Sequence, residues 1–170
     1  LVCAWEGGGM MQTTCWLVPR ALAENAGPWD ESLSLHDDGE YFCRALLASN
    51  GIRYCDEAKV YYRTGLEGSL SRRRSREAIE SALAVCESYE RHTLCREDSP
   101  CVRHALARNY ARFIDEVHPQ HPDLLDRARK RIRDLGFRRP PSCGGMRFRA
   151  LAALVGFEQA LAIRACLRRG

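Results

Sequence analysis

The sequence predicts an α/β unit over residues 1–72 followed by an all-α region over residues 73–170. Two observations carry that division. Before residue 72, short segments rich in β-branched and aromatic residues alternate with short amphipathic helices, which is the α/β pattern. Beyond it, apolar residues recur only at helical spacing. The basic, serine-rich stretch "GSLSRRRS", residues 68–75, marks the change.

In chain order, "QTTCWLVP" (12–19) carries enough β-branched and aromatic residues for a strand. "PRALAENAG" (19–27) reads as a helix, with Pro19 near its start and Gly27 as its stop. "GPWDESL" is a turn. "DGEYFCRALLASNG" sets Phe42, Ala45 and Leu46 on one helical face and ends at the cap pair Asn50-Gly51. "IRYCDEAKVYYRT" gives two short extended pieces around a polar turn at Asp56-Glu57. After residue 72, Ile79, Leu83, Cys86 and Tyr89 form one apolar stripe. Val102, Leu106, Tyr110, Phe113 and Val117 form a second beyond Ser99-Pro100, and Leu125, Ala128, Ile132 and Leu135 a third that Gly136 stops. "RRPPSCGG" punctuates, and "MRFRALAALVGFEQALAIRACLRRG" closes the chain as a stretch apolar nearly all round and basic at its ends.

Composition narrows the classes of function. With 45% hydrophobic residues among 170, the chain has material for a core, so disorder is excluded. The net charge of +4 does not point to nucleic acid: every basic residue except Lys59 and Lys130 is Arg, and the basic runs interleave with acids as solvated helix faces do. None of the nine cysteines forms a Cys-x-x-Cys pair, and Cys43, Cys86 and Cys166 fall at apolar helical positions. Free thiols in a reducing cytoplasm are therefore expected, with Cys95 and Cys101, flanking a turn, as two that could meet. No apolar run reaches the roughly 18 residues that a crossing helix needs. Leu1 opens the chain and the first methionine is Met10, so an internal segment of a longer protein is expected.

Residues 32–51, "SLSLHDDGEYFCRALLASNG", crowd Asp37, Asp38 and Glu40 into four positions. Like charges that close repel, so the cluster needs a compensating helix start, metal or reaction. Gly27-Pro28-Trp29-Asp30-Glu31, then Asp37-Asp38-x-Glu40, Arg44, Gly51-Ile52 and a stretch ending Val60-Tyr61-Tyr62-Arg63 follow in order. That series resembles the acceptor-side half of family 2 glycosyltransferases, nucleotide-sugar-dependent enzymes of the GT-A fold, over about residues 10–72.

The resemblance implies a partial GT-A domain with a helical extension. The parent enzyme would transfer a sugar from a nucleotide-sugar donor to an acceptor hydroxyl on a glycan, lipid-linked carrier or protein, with inversion. Asp38 matches the family's catalytic base, Asp37 stands where Glu is usual, and Glu40 replaces Asp. Arg44 would orient the carboxylates, Trp29 would stack on a sugar face beside Asp30 and Glu31, and Arg63 would contact the diphosphate where relatives carry His. A divalent cation, Mn or Mg, is expected in the parent. Its Asp-x-Asp ligands are absent from this chain, which supplies no metal ligand of its own and is expected to be inactive alone. Bacterial polysaccharide assembly in the cytoplasm, at the inner face of the membrane in one variant, is the implied setting.

Structural readings stand beside these. Asp37 and Asp38 suit an N-cap and first-turn acid, each worth about 0.3–1 kcal/mol against the helix dipole. Arg44 and Glu40 suit an i,i+4 pair, Trp16 suits the core, and Ser71 or Ser75 suits a helix cap. A module of another class, a helical scaffold docking a partner protein or a membrane surface, fits the same residues. The closing stretch has two fates: burial of Leu151, Leu154 and Leu161 against other helices, or a peripheral membrane contact with arginines toward the headgroups.

Overall fold

The computed structural model describes residues 1, 2, 5, 12–61 and 74–167, and all the regular structure among them is helical. A 3-10 turn at Thr13–Cys15 precedes α1 (Arg20–Ala26), α2 (Asp37–Ala48), α3 (Arg76–Arg96), α4 (Pro100–Val117), α5 (Pro122–Asp134), α6 (Met146–Val155) and α7 (Phe157–Leu167).

The α/β expectation is overturned, because no strand occurs among the described residues. The segment predicted as the first strand begins instead as the 3-10 turn, whose start is held by the Gln12 side chain accepting from the Thr14 backbone N–H at 3.2 Å. Residues 51–61, predicted as two extended pieces, contain neither helix nor strand, and Ile52, Tyr54 and Tyr61 face solvent. The physical reason is that β-rich composition favours only an extended backbone. A strand also needs a neighbour to complete its ladder, and none is supplied among the described residues.

The helices begin and end where local chemistry dictates. Pro19 precedes α1, and Gly27, at φ 81°, closes it in a conformation that a side chain would strain. Ser75 accepts from Ala78 N–H at 3.3 Å to open α3, and Ser99 does the same for Val102 N–H at the start of α4, where Pro100 takes the first turn. Gly156, at φ 90°, divides the closing stretch into α6 and α7.

Packing is centred on α4, whose Leu106, Tyr110 and Ile114 are fully buried between α3 and α5. Leu35, from the loop before α2, belongs to the same apolar cluster as Leu83, Ile132 and Leu161, so the core runs without a break from before residue 72 to α7. One buried carboxylate ties three helices: Glu90 of α3 accepts from the Tyr110 hydroxyl of α4 at 2.6 Å and pairs with Arg131 of α5 at 2.7 Å. Exposed pairs such as Arg76–Asp123 and Arg127–Glu87 join the same helices outside, where each contributes at most about 1 kcal/mol.

The burial expected for Leu151, Leu154 and Leu161 of the closing stretch holds only in part. Leu161 is buried and Leu151 half-buried, but Leu154 stands 84% exposed. Cys43 is buried, and burial pushes its thiol up to about 12; Cys86 is half-buried with its thiol raised likewise, whereas Cys166 lies at the surface. Cys95 and Cys101 are free and exposed.

Candidate functional site

The first turn of α2 collects the acidic residues, and its neighbours are aromatic. Asp37 lies one turn before Tyr41 and Asp38 one turn before Phe42 on the same helix. Trp29 stacks on Tyr41 with ring centres 4.5 Å apart and planes 6° from parallel, and Trp16 stacks on Phe42 at 4.8 Å. Trp29 and Tyr41 also meet the Phe42 ring edge-on, so four rings form one cluster beneath the helix start.

Each acid has its own environment. Asp38 is half-buried; one oxygen accepts the Gly39 backbone N–H at 2.7 Å, and the other lies 3.4 Å from the Thr13 hydroxyl. Asp37 is likewise half-buried in the first turn. His36, immediately before, is held at φ 61° and ψ 20°, a left-handed conformation uncommon for a residue with a side chain. Asp30 stabilises its own turn by accepting from the Ser32 N–H at 3.0 Å and the Ser32 hydroxyl at 2.5 Å, and these two bonds hold its carboxyl below the usual range. Glu31 is exposed.

Glu40 and Arg44 turn the other way, into the protein. Arg44 pairs with Glu40 at 2.8 Å, and the Ser88 hydroxyl of α3 donates to the same carboxylate at 2.8 Å. Burial works to raise the Glu40 pKa, but the bonds from Arg44 and Ser88 outweigh it and leave it below its ordinary value. Arg44 further donates to the backbone carbonyls of Ala26 and Pro28, fastening the α1–α2 connection. The i,i+4 pair expected for these two residues is thus present, and it is internal rather than solvated.

An open groove of about 470 Å³ lies beside the ring cluster, lined by Arg20, Ala23, Glu24, Pro28, Trp29 and Tyr41. Its floor is an aromatic face and its rim an ion pair, Arg20–Glu24 at 2.8 Å. The indole N–H of Trp16 is buried without an acceptor among the described residues. Tyr41 was not singled out by sequence reasoning, although its i,i+4 spacing from Asp37 was a usable signal.

Trp29 is thus joined through the Tyr41 ring to the helix whose first turn carries Asp37 and Asp38, Asp30 and Glu31 lie in the turn after Trp29, and Glu40 and Arg44 are withdrawn to an interior network. Arg63, expected on a diphosphate, lies outside the described residues. Among the described residues no three His, Cys, Asp or Glu side chains converge as metal ligands.

No protein-family model, no curated protein and no solved structure matches this chain. That finding and the strandless described chain overturn the resemblance to family 2 glycosyltransferases of the GT-A fold. The motif series holds only as residues in order, without the sheet on which that fold is built.

Proposed function

We propose that the corner between α1 and α2 is the acceptor end of a sugar-transferring enzyme, in which Asp38 takes the proton from the attacking hydroxyl. The observation that supports this most is the pairing of half-buried first-turn carboxylates with a stacked aromatic floor, entered through a strained His36. A sugar ring offers hydroxyls to carboxylates and an apolar C–H face to an aromatic; the groove supplies the aromatic surface of Trp29 and Tyr41, and Tyr41 stands one turn after Asp37 on the same helix.

In the reaction, the acceptor oxygen forms a bond to the anomeric carbon as the bond to the nucleoside diphosphate breaks. The proton passes to an Asp38 oxygen, and the diphosphate leaves with the bonding pair. Displacement from the opposite face inverts the anomeric centre. The Gly39 N–H and the Thr13 hydroxyl hold the Asp38 carboxylate in place. Arg44 and Glu40 act at one remove, by fixing the helix that carries it.

Asp38→Asn in the intact polypeptide keeps the side-chain shape and an oxygen for Gly39 while removing the basic lone pair. Transfer from a nucleotide sugar should fall by about 10² to 10⁴, the usual cost of losing a general base. Turnover at the wild-type rate would refute the assignment.

A second reading, a non-catalytic helical docking module, is favoured by one observation: Leu17 is 99% exposed, and Ile52, Tyr54 and Tyr61 are exposed with it. Under that reading no sugar is transferred, and substitutions at these four residues abolish partner capture while Asp38→Asn has no effect.

A further inference from the structure

At 100° per residue, α6 has two apolar faces rather than one. Phe148 is buried edge-on to Phe157, and Leu151 and Ala152 pack on the core beside it. On the opposite side Met146, Ala150, Ala153 and Leu154 all face out, with Met146 86% and Leu154 84% exposed. Arg147 and Arg149 occupy the two flanks between these faces. On α7 Phe157, Ala160 and Leu161 are buried, while the opposite positions Gln159, Ala162, Ile163 and Cys166 are exposed and uncharged, with Glu158 on the flank.

A solvated helix in this same protein looks different. The outward positions of α5 are Asp126, Arg127, Lys130, Arg133 and Asp134, as an aqueous face requires. Nothing comparable covers the outside of α6.

The charge around that face has one sign. Glu158 is the sole acid between Gly136 and Leu167, and it is already held by Arg129 at 2.9 Å. Arg138, Arg139 and Arg147 have no acidic partner among the described residues, and Arg149 donates only to the Ser142 hydroxyl.

We propose that the outer face of α6, continued by α7, docks on an anionic lipid bilayer, with Met146 and Leu154 in the headgroup–acyl boundary and the flanking arginines on the phosphates. Arginine stems lie along apolar surface while their heads reach charge, so Arg147 and Arg149 can serve a helix lying flat between them. A second copy of the chain fits poorly, because a two-fold contact through this face would bring its unpaired arginines against the partner's arginines. Crossing the bilayer is not the mode, since no described helix is long and apolar enough to span it. The inference is independent of the sugar-transfer reading.

Flotation of the chain with phosphatidylglycerol–phosphatidylcholine vesicles, against phosphatidylcholine alone, tests it. Binding should occur on the anionic vesicles, weaken in high salt, and fall about fivefold for each of Arg147→Gln and Arg149→Gln, from roughly 1 kcal/mol per surface arginine. Leu154→Asp should abolish binding without lowering the melting temperature, because the side chain is already in water. If that variant does melt lower, Met146→Ser at the helix start makes the same test. Equal binding to both vesicle types, no binding to either, or retained binding by the leucine variant would each overturn the proposal. A concentration-dependent dimer in light scattering that Leu154→Asp dissolves would overturn it in favour of a second copy.

Discussion

Replacing Arg44 with Met should unfold this protein more readily than any change at Asp38. The Arg44 and Glu40 side chains are 13% and 4% exposed, so the pair sits where water cannot take over for a missing partner. Methionine fills much of the volume but leaves the Glu40 carboxylate with the Ser88 hydroxyl alone, and strips the Ala26 and Pro28 carbonyls of their donor. Removing one member of a buried ion pair costs about 3–5 kcal/mol. For a chain of this size each kcal/mol moves the midpoint by roughly 2–4 °C, so a drop of about 6–20 °C is expected in a thermal melt followed by circular dichroism. Glu40→Gln added to Arg44→Met should restore part of the loss, because the stranded charge is gone. The pH dependence has a definite sign. The Glu40 pKa is lowered in the folded state, so its contribution is complete above the ordinary value of 4.5 and fades as pH falls through the folded value. A loss below about 1 kcal/mol, the range of exposed pairs, would refute the structural role and return Arg44 to the candidate site.

Gly39→Ala gains up to about 1 kcal/mol of helix propensity but drives a new Cβ into the Tyr89 hydroxyl, so net destabilisation of about 1–2 kcal/mol is expected by urea titration, and Tyr89→Phe should relieve it. Trp29→Ala should raise the KM for the acceptor while Trp29→Phe spares it; unchanged kinetics in both would remove the aromatic floor from the site. Burial first, and the nearby Arg91 after it, holds the His92 pKa below its ordinary value of 6.5, and burial does the same for His118. Stability is therefore complete above about pH 6.5 and declines as pH falls toward the folded values; replacing both with Gln should flatten that slope in melts between pH 7 and 5.

The helices were legible because each carried its own evidence. The stripe Val102, Leu106, Tyr110, Phe113, Val117 is buried along its whole length, and the Pro19 and Gly27 punctuation frames α1 as expected. Strands were misjudged because Thr13, Thr14, Ile52 and Val60 report only local backbone preference, and the sequence does not state whether a pairing neighbour exists. At the site, spacing placed Asp37 and Asp38 at a helix start, but the N-cap expected at Asp37 is His36, and Asp37 is already in the first turn. Spacing could not say that Glu40, two residues after Asp38, would face α3, because that depends on Ser88, 48 positions away in sequence.

One hydroxyl links the two regions that sequence texture separates. Ser81 Oγ of α3 accepts the backbone N–H groups of Ser34 and Leu35 at 2.9 and 3.0 Å and donates to the Leu35 carbonyl at 3.1 Å. Two helical turns further along α3, Ser88 reaches Glu40. The loop that delivers His36, Asp37 and Asp38 is thus pinned from outside its own stretch of chain. A gene truncated at residue 72 would encode the acidic corner without its mould, and a graft of residues 12–61 onto another scaffold would have to carry α3 with it. A helix swap that ignored Ser81 and Ser88 would keep every acid in the sequence and lose the shape that holds them.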